Sequence, residues 1–179
     1  MSNLVYRWLE ANEVVKIGDI DRSERIRVGY AYEDGQLRKM VVNWDAPAWF
    51  VEGDGDFTVA SEIAFCREHL ERNGRLYGTF SNEKLVGVGL LQPEIEPNVA
   101  QLAFLHVSRE HRHEGIGRRI FAVLLDEAKQ LGATQMYVSA TPSESAIGFY
   151  LSQGFVPTDT PNPALFELEP DDIHLRKNL

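Results

Sequence analysis

The sequence predicts a single α/β domain of the α+β kind: a mixed, mostly antiparallel central sheet flanked by helices, spanning residues 1–179. Three observations carry this expectation. The chain has 179 residues, 44% of them hydrophobic and 25% charged, which suits one ordinary globular unit. Three β-prone runs, "RLYGTF", "KLVGVGLLQ" and "VAQLAFLHV", follow one another with short breaks, the spacing of antiparallel neighbours. A strand–helix–strand–helix alternation then fills the C-terminal half.

Taken in order, "LVYRWLE" (Leu4 to Glu10) reads as a strand and "ANEVVKIGDID" as helical turns. In "RIRVGYAYEDGQLRKMVVNW" the Asp34-Gly35 pair separates two β-prone runs, a hairpin signal. "DAPAWFVEGDGDF" is a loop by its Pro, Gly and Asp content. Phe57 to Glu71 carries Val59, Ile63, Phe65 or Cys66, and Leu70 on roughly helical spacing, and Asn73-Gly74 ends it. Asn82-Glu83 turns the first strand pair, and "PEIEPN" separates the second. Gly115 to Leu131 follows as a helix with Ile116, Ile120, Leu124, Ala128 and Leu131 on one stripe and Gly132 as its C′ glycine. "TQMYVSA" is a β-branched and aromatic strand. "TPSESAIGFYLSQGF" reads as a helix, with Thr141 as N-cap, Pro142 at N1, Glu144 completing a capping box and Gly154 ending it. "PALFELE" and "DIHLRKN" are expected to be one more strand and a tail. No repeat or low-complexity segment interrupts the chain.

Composition narrows the function. The formal net charge is -9 and the pI is near 5.0, which argues against nucleic-acid binding and mildly favours a cationic partner. Cys66 is the one cysteine, so an intramolecular disulfide is excluded. It sits in a helical-looking stretch and reads as a buried helix residue rather than a catalytic thiol. The first residues show no basic region followed by an apolar run, and no stretch approaches the ~20 apolar residues of a membrane span. The expectation is a cytoplasmic protein with no membrane partner.

Against that acidic balance, "REHRHEGIGRRI" (Arg109 to Ile120) packs four arginines and two histidines around two glycines. It lies between a strand and a helix. Such a junction offers unpaired backbone N–H groups at the positive end of the helix dipole, and small residues let that backbone approach an anion such as phosphate. A P-loop is excluded because no Gly-Lys-Ser or Gly-Lys-Thr follows. A dinucleotide fingerprint would need a small residue at Ile120 and an acidic residue ending the next strand, and both are missing. Taken alone, the glycine pair is equally compatible with a solvated charged loop. His111 and His113 have no evident third metal ligand and read as basic loop residues, so no metal is expected.

"RHEGIG" (Arg112 to Gly117) matches the Arg/Gln-x-x-Gly-x-Gly/Ala signature of the GNAT N-acetyltransferase superfamily. About thirty residues later "AIGFYLSQGF" (Ala146 to Phe155) matches that family's Ala-x-x-Phe-Tyr-x-x-x-Gly-Phe ending. The chain thus resembles the family over a cofactor-binding half of about residues 99–157, while its N-terminal third is only compatible with it. The resemblance implies a GNAT-type fold with acetyl-CoA as cosubstrate. The pyrophosphate would rest on the amides of Arg112, His113, Glu114, Gly115, Ile116, Gly117 and Arg118. The backbone of Leu105, His106 and Val107, on a bulged and splayed strand, would hold the pantetheine arm and the acetyl carbonyl, where a donor stabilises developing negative charge. Ser143 stands where many relatives have a cofactor-contacting Asn. Tyr150 would be the general acid that protonates the departing thiolate, a role its ordinary pKa near 10 allows.

The base is harder to place. Many relatives carry Glu or His on the strand before the signature; here Gln101 and Ala103 stand on that face. His106 falls on the opposite face unless a bulge shifts it. Glu94, Glu96 and Glu62 are further candidates, and a water chain needs none. Trp44 and Trp49 would either clamp a substrate or belong to the core. The implied activity is acetyl transfer from acetyl-CoA to a primary amine, on a small molecule or a peptide, by direct attack in a ternary complex. A homodimer is compatible with this reading. The alternative is a non-catalytic acyl-CoA-binding sensor.

Overall fold

The computed structural model describes residues 3–179. The main sheet has seven strands in the order β1-β4-β5-β6-β7-β9-β8: β1 (Leu4–Trp8), β4 (Arg75–Ser81), β5 (Lys84–Glu96), β6 (Val99–Val107), β7 (Gln135–Ala140), β9 (Ile173–Asn178) and β8 (Val156–Pro157). All neighbours are antiparallel except β6 and β7. The hairpin β2 (Glu24–Glu33) and β3 (Gln36–Ala46) forms a second, two-stranded sheet. Its turn residues Asp34 and Gly35 have φ of 53° and 72°, as a tight hairpin requires. The mixed, mostly antiparallel sheet is thus the predicted one.

The two faces of the sheet carry separate cores. On one, α2 (Ile116–Gln130) and α3 (Glu144–Ser152) pack. Ile116, Ile120, Leu124 and Ala128 of α2 meet Leu91, Leu102, Met136 and Val138 of the strands. Close approach there depends on two glycines of β5: a Cβ at Gly87 would lie 2.7 Å from Ile116, and one at Gly89 2.6 Å from Leu124. The other face is covered by the 3-10 segment Ala11–Asp19 and by α1 (Val59–Glu71), which bury Val14, Ile17 and Cys66 against Leu76, Val88, Leu90 and Phe104. Trp49 joins this second core, stacked on Phe104. Trp44 instead lies across Gly29, where a Cβ would come within 3.0 Å of its ring.

Several expected elements are displaced. Leu131 is 43% exposed and falls off the buried stripe of α2. Residues 93–96 continue β5, and the turn is confined to Pro97-Asn98, with Asn98 at φ 62°; Pro93 is tolerated in a strand end that has already left the regular register. "PALFEL" forms a helix, α4 (Pro163–Leu168), capped by the Asn162 side chain on Leu165 N–H, and not a strand. Pro163 at N1 is a helix-start signal that its β-compatible composition masked. "DIHLRKN", expected to be a tail, supplies strand β9 between β7 and β8. The cap of α3 is Ser143, whose hydroxyl accepts from Ala146 N–H. Thr141 and Pro142 stay outside the helix because Pro142 offers its carbonyl to Tyr30 N–H of the hairpin. Glu144 therefore does not close a capping box but pairs with Lys39 at 2.9 Å.

Candidate active site

Where β6 and β7 run side by side they pair only from Val99–Gln101 to Gln135–Tyr137. Beyond Gln101 they part. A register shift on β6 between Leu102 and Phe104 leaves Ala103 as an extra residue opposite β5, and such a bulge bends a strand. The gap opens into a cleft of about 1720 Å³ that runs through the sheet, from the N-terminus of α2 to the space between α1 and α4.

Backbone alternation decides which groups of β6 face the gap. Ser108 N–H bonds to Val86 of β5 at 2.8 Å. In an antiparallel ladder His106 then also turns its N–H and C=O to β5, while Leu105 and Val107 turn theirs to the gap. The Val107 carbonyl is already used there, accepting from Arg112 Nε at 3.2 Å.

The loop before α2 supplies an anion cradle. Among the described residues the N–H groups of residues 113–118 have no backbone acceptor, and the first helical bond comes from Arg119 N–H to Gly115. His113 (φ 66°) and Gly115 (φ 80°) hold left-handed conformations that turn successive amides toward one side. A Cβ on Gly115 would meet nothing within 4 Å, so the cradle is open to a guest. The arginines divide their work. Arg112 is structural: Nη2 donates to Arg22 O at 2.8 Å, and Nη1 lies 3.4 Å from Glu24. Its N–H is turned back to Arg109 O at 3.4 Å, so the amides that remain free begin at His113. Arg119 lies over the Tyr6 ring at 3.8 Å. Arg118 is exposed and lines the cleft.

Tyr150, on the last turn of α3, lines the cleft and is 8% exposed. Burial and the Asp172 charge push its phenol above the usual range, and no hydrogen bond to its hydroxyl forms among the described residues. It is a protonated donor without a partner. Ser143 also lines the cleft, but its hydroxyl is engaged with Ala146 N–H and lies 3.0 Å from Ser145 Oγ.

The bulge at Ala103 alters the expected parity of β6. Phe104 and His106 share the α1 face, with His106 edge-on to both Phe104 and Trp49 at 4.5 and 5.2 Å. Burial, with Arg22 and Arg112 nearby, pushes the His106 imidazole down to about 3, so it is neutral and weakly basic. Glu96 is held by Arg176 at 2.9 Å and by Asn162 Nδ2 at 2.9 Å, which keep its carboxyl below the ordinary range. Glu94 and Glu62 line the cleft. Burial raises the Glu62 carboxyl, Arg22 opposes that shift and Asp56 adds to it. Cys66 is buried, and burial pushes its thiol up to about 12; it is no nucleophile.

Three residues were missed by sequence reasoning. Arg22, half-buried by α1 with its Nε on Pro47 O at 2.9 Å, lines one wall. Glu169 and Asp172 line the other, beside Ser139. Burial, with Glu169 and Asp171 close by, pushes the Asp172 carboxyl up to about 7. The only signal in the sequence was the acidic run "ELEPDD", indistinguishable from a solvated turn. Among the described residues no group of three or more His, Cys, Asp or Glu side chains is arranged to hold a metal.

A splayed parallel strand pair, free amides at the N-terminus of the helix between them and a buried tyrosine on the following helix define the acyl-CoA acyltransferase class of site. The family model for the GNAT acetyltransferases matches residues 38–155, and the chain belongs to that family. Solved structures share its fold over nearly the whole length. A nourseothricin acetyltransferase superposes with a TM-score of 0.70 at 18% identity, covering 97% of this chain and 95% of that one. A candidate streptothricin acetyltransferase from Bacillus anthracis, in complex with acetyl coenzyme A, gives 0.68 at 18% identity, covering 99% and 100%. The PaiA N-acetyltransferase from Thermoplasma acidophilum, in complex with coenzyme A, gives 0.64 at 16% identity, covering 99% of each. No curated protein sequence matches the chain.

Proposed function

We propose that the protein transfers an acetyl group from acetyl-CoA to a primary amine of a cationic acceptor, by direct attack in a ternary complex. The observation that carries this reading is the gap between β6 and β7 with unspent amides at its mouth. A thioester arm fits there as a surrogate strand, held by backbone groups of Leu105 and Val107. The amides of residues 113–118 and the Arg118 side chain receive the pyrophosphate. Ser143, committed to capping α3, borders the arm rather than binding it.

Acetyl-CoA brings an activated acetyl group; this chain supplies position and protons. Tyr150 donates its phenolic proton to the departing sulfur. The acceptor enters from the side of α1 and α4, where Glu62, Glu94, Glu169 and Asp172 line the cleft. With Asp56 and Glu68 also on this side, carboxyl groups outnumber the guanidiniums of Arg22 and Arg72, which favours an ammonium over an anion. Cys66 is buried in the second core, which supports direct attack without a thioester relay through the protein.

The test is release of CoA from acetyl-CoA in the presence of polyamines, aminoglycosides, amino acids and peptide N-termini. Release with a polyamine or an aminoglycoside, well above that with neutral amino acids, is the expected result. Tight binding of acetyl-CoA without release for any amine would favour the sensor reading that Gln101, in place of an ionisable residue on β6, first suggested.

A further inference from the structure

The acceptor nitrogen must shed a proton before it can attack. His106 is too weakly basic, and Glu96 is held by Arg176. The wall opposite α1 offers a different group. Asp172 is the residue just before β9, where Ile173 pairs with Ala140 at the end of β7. It is close enough to Tyr150 for its charge to act on the phenol, and it lies beside Ser139, whose hydroxyl donates to Glu169. Asp172, Ser139 and Tyr150 all line the cleft. The Tyr150 side chain lines this end of the cleft, and its hydroxyl has no hydrogen-bond partner among the described residues, so it is free for a polar guest.

A relay of hydrogen bonds fixes the segment that carries Asp172. Asn162 N–H donates to the Tyr137 hydroxyl at 3.0 Å. That hydroxyl therefore donates onward to His174 Nδ1 at 2.6 Å, and His174 Nε2–H donates to Glu169 O at 3.1 Å. The end of α4 and the start of β9 are thereby tied to β7.

We propose that Asp172 is the proton acceptor for the incoming amine, working as a pair with Tyr150. This rests on the transferase reading above. An acceptor ammonium first gives a proton to the Asp172 carboxylate, which returns it to solvent along the open cleft. The neutral nitrogen then forms its bond to the thioester carbonyl carbon, and the carbon–sulfur bond breaks. The sulfur takes the Tyr150 proton, and the second proton lost by nitrogen restores the phenol. Two protons leave nitrogen: one ends in solvent and one, by exchange, on the CoA thiol. The groups that face Asp172 are Glu169 and Asp171 beside it, Ser139 from β7 and Tyr150 from α3. Burial, and then the neighbouring Glu169 and Asp171, raise its proton affinity. A carboxyl that titrates near neutrality is a far better base than an ordinary one at pH 7.

The experiment compares wild type with Asp172→Asn, Asp172→Glu and Glu62→Gln. In the free protein, the carboxyl carbon of Asp172 is titrated by NMR, with a midpoint of about 7 expected, and the Tyr150 phenol is titrated before and after Asp172→Asn, with a lower pKa expected once the charge is gone. In turnover, Asp172→Asn lowers kcat/KM at neutral pH by on the order of 100-fold and abolishes its rise between acid and neutral pH. Asp172→Glu recovers part of both, and Glu62→Gln raises KM but keeps the rise. Calorimetric affinity for acetyl-CoA is unchanged in all three. An Asp172 midpoint in the ordinary carboxylate range, or a rise that survives Asp172→Asn, overturns this role alone. Tight binding of acetyl-CoA with no release for any amine overturns the transferase reading and this role with it.

Discussion

The acid role proposed for Tyr150 rests on a phenol without a hydrogen-bond partner among the described residues. Its hydroxyl opens onto the cleft, and packing alone would be served as well by Phe. Tyr150→Phe is expected to lower kcat by about 100-fold with the dissociation constant of acetyl-CoA unchanged by calorimetry; equal loss of both would refute the acid role. Gly117 is legible in a different way. A Cβ there would make only ordinary contacts, 3.6 Å to Val107 and 3.8 Å to Phe149, so Gly117→Ala should be accepted by the fold. Gly117→Trp is expected to abolish acetyl-CoA binding while the far-ultraviolet circular dichroism stays that of wild type; unchanged binding would remove the pyrophosphate from this loop. Tyr150 and Gly117 were visible in the sequence because each belongs to a contiguous motif. Asp172 was not, because its distinguishing property is its burial in the folded chain, which no neighbour in sequence reports.

Among elements, α2 governs the site, since its N-terminus is the cradle. Its height over the sheet is set by the glycines of β5. Gly89→Val would drive a branched side chain into Leu124 and Ile120, both already within 2.7 Å of a single added Cβ. Such overpacking costs about 1–3 kcal/mol, and it lifts the helix away from β6. The expected result is a lower midpoint of urea unfolding together with weaker binding of acetyl-CoA, although Gly89 does not line the cleft. The periodicity of α2 was readable because one face is wholly apolar. That of α4 was not: six residues carry too few turns for a stripe, and Pro163 signals equally a helix start and a break. The cap of α3 moved from Thr141 to Ser143 for a tertiary reason, since the hairpin takes the Pro142 carbonyl.

At the scale of the whole molecule, the cleft sets catalysis against stability. The Asp172 carboxyl has a folded-state pKa of about 7, above the ~3.9 of an unfolded aspartate. A group raised on folding favours the native state fully below its unfolded pKa, and that contribution is lost as pH rises through the folded value. Wild type is therefore expected to lose thermal stability between about pH 4 and pH 7 through this one ionisation. Asp172→Asn cannot ionise, so its melting temperature should match wild type near pH 4 and exceed it at pH 8. Identical pH profiles of melting temperature would show that Asp172 ionises as freely in the fold as outside it.

The sequence by itself determined the family and the sheet's mostly antiparallel character, and it marked the loop before α2 and the tyrosine of the second motif as the proposed site. Each is a local pattern: a short strand spacing, a loop opening a helix, an aromatic pair at fixed distance from a glycine. Only the tertiary structure decided which strand edge lies open, which arginine is free to meet a phosphate, and which carboxylates line the acceptor side. Those properties depend on burial and on groups brought together across the sheet, as Ser139, Tyr150 and Asp172 are. Desolvation and charge proximity act through space, and no spacing along the chain encodes them.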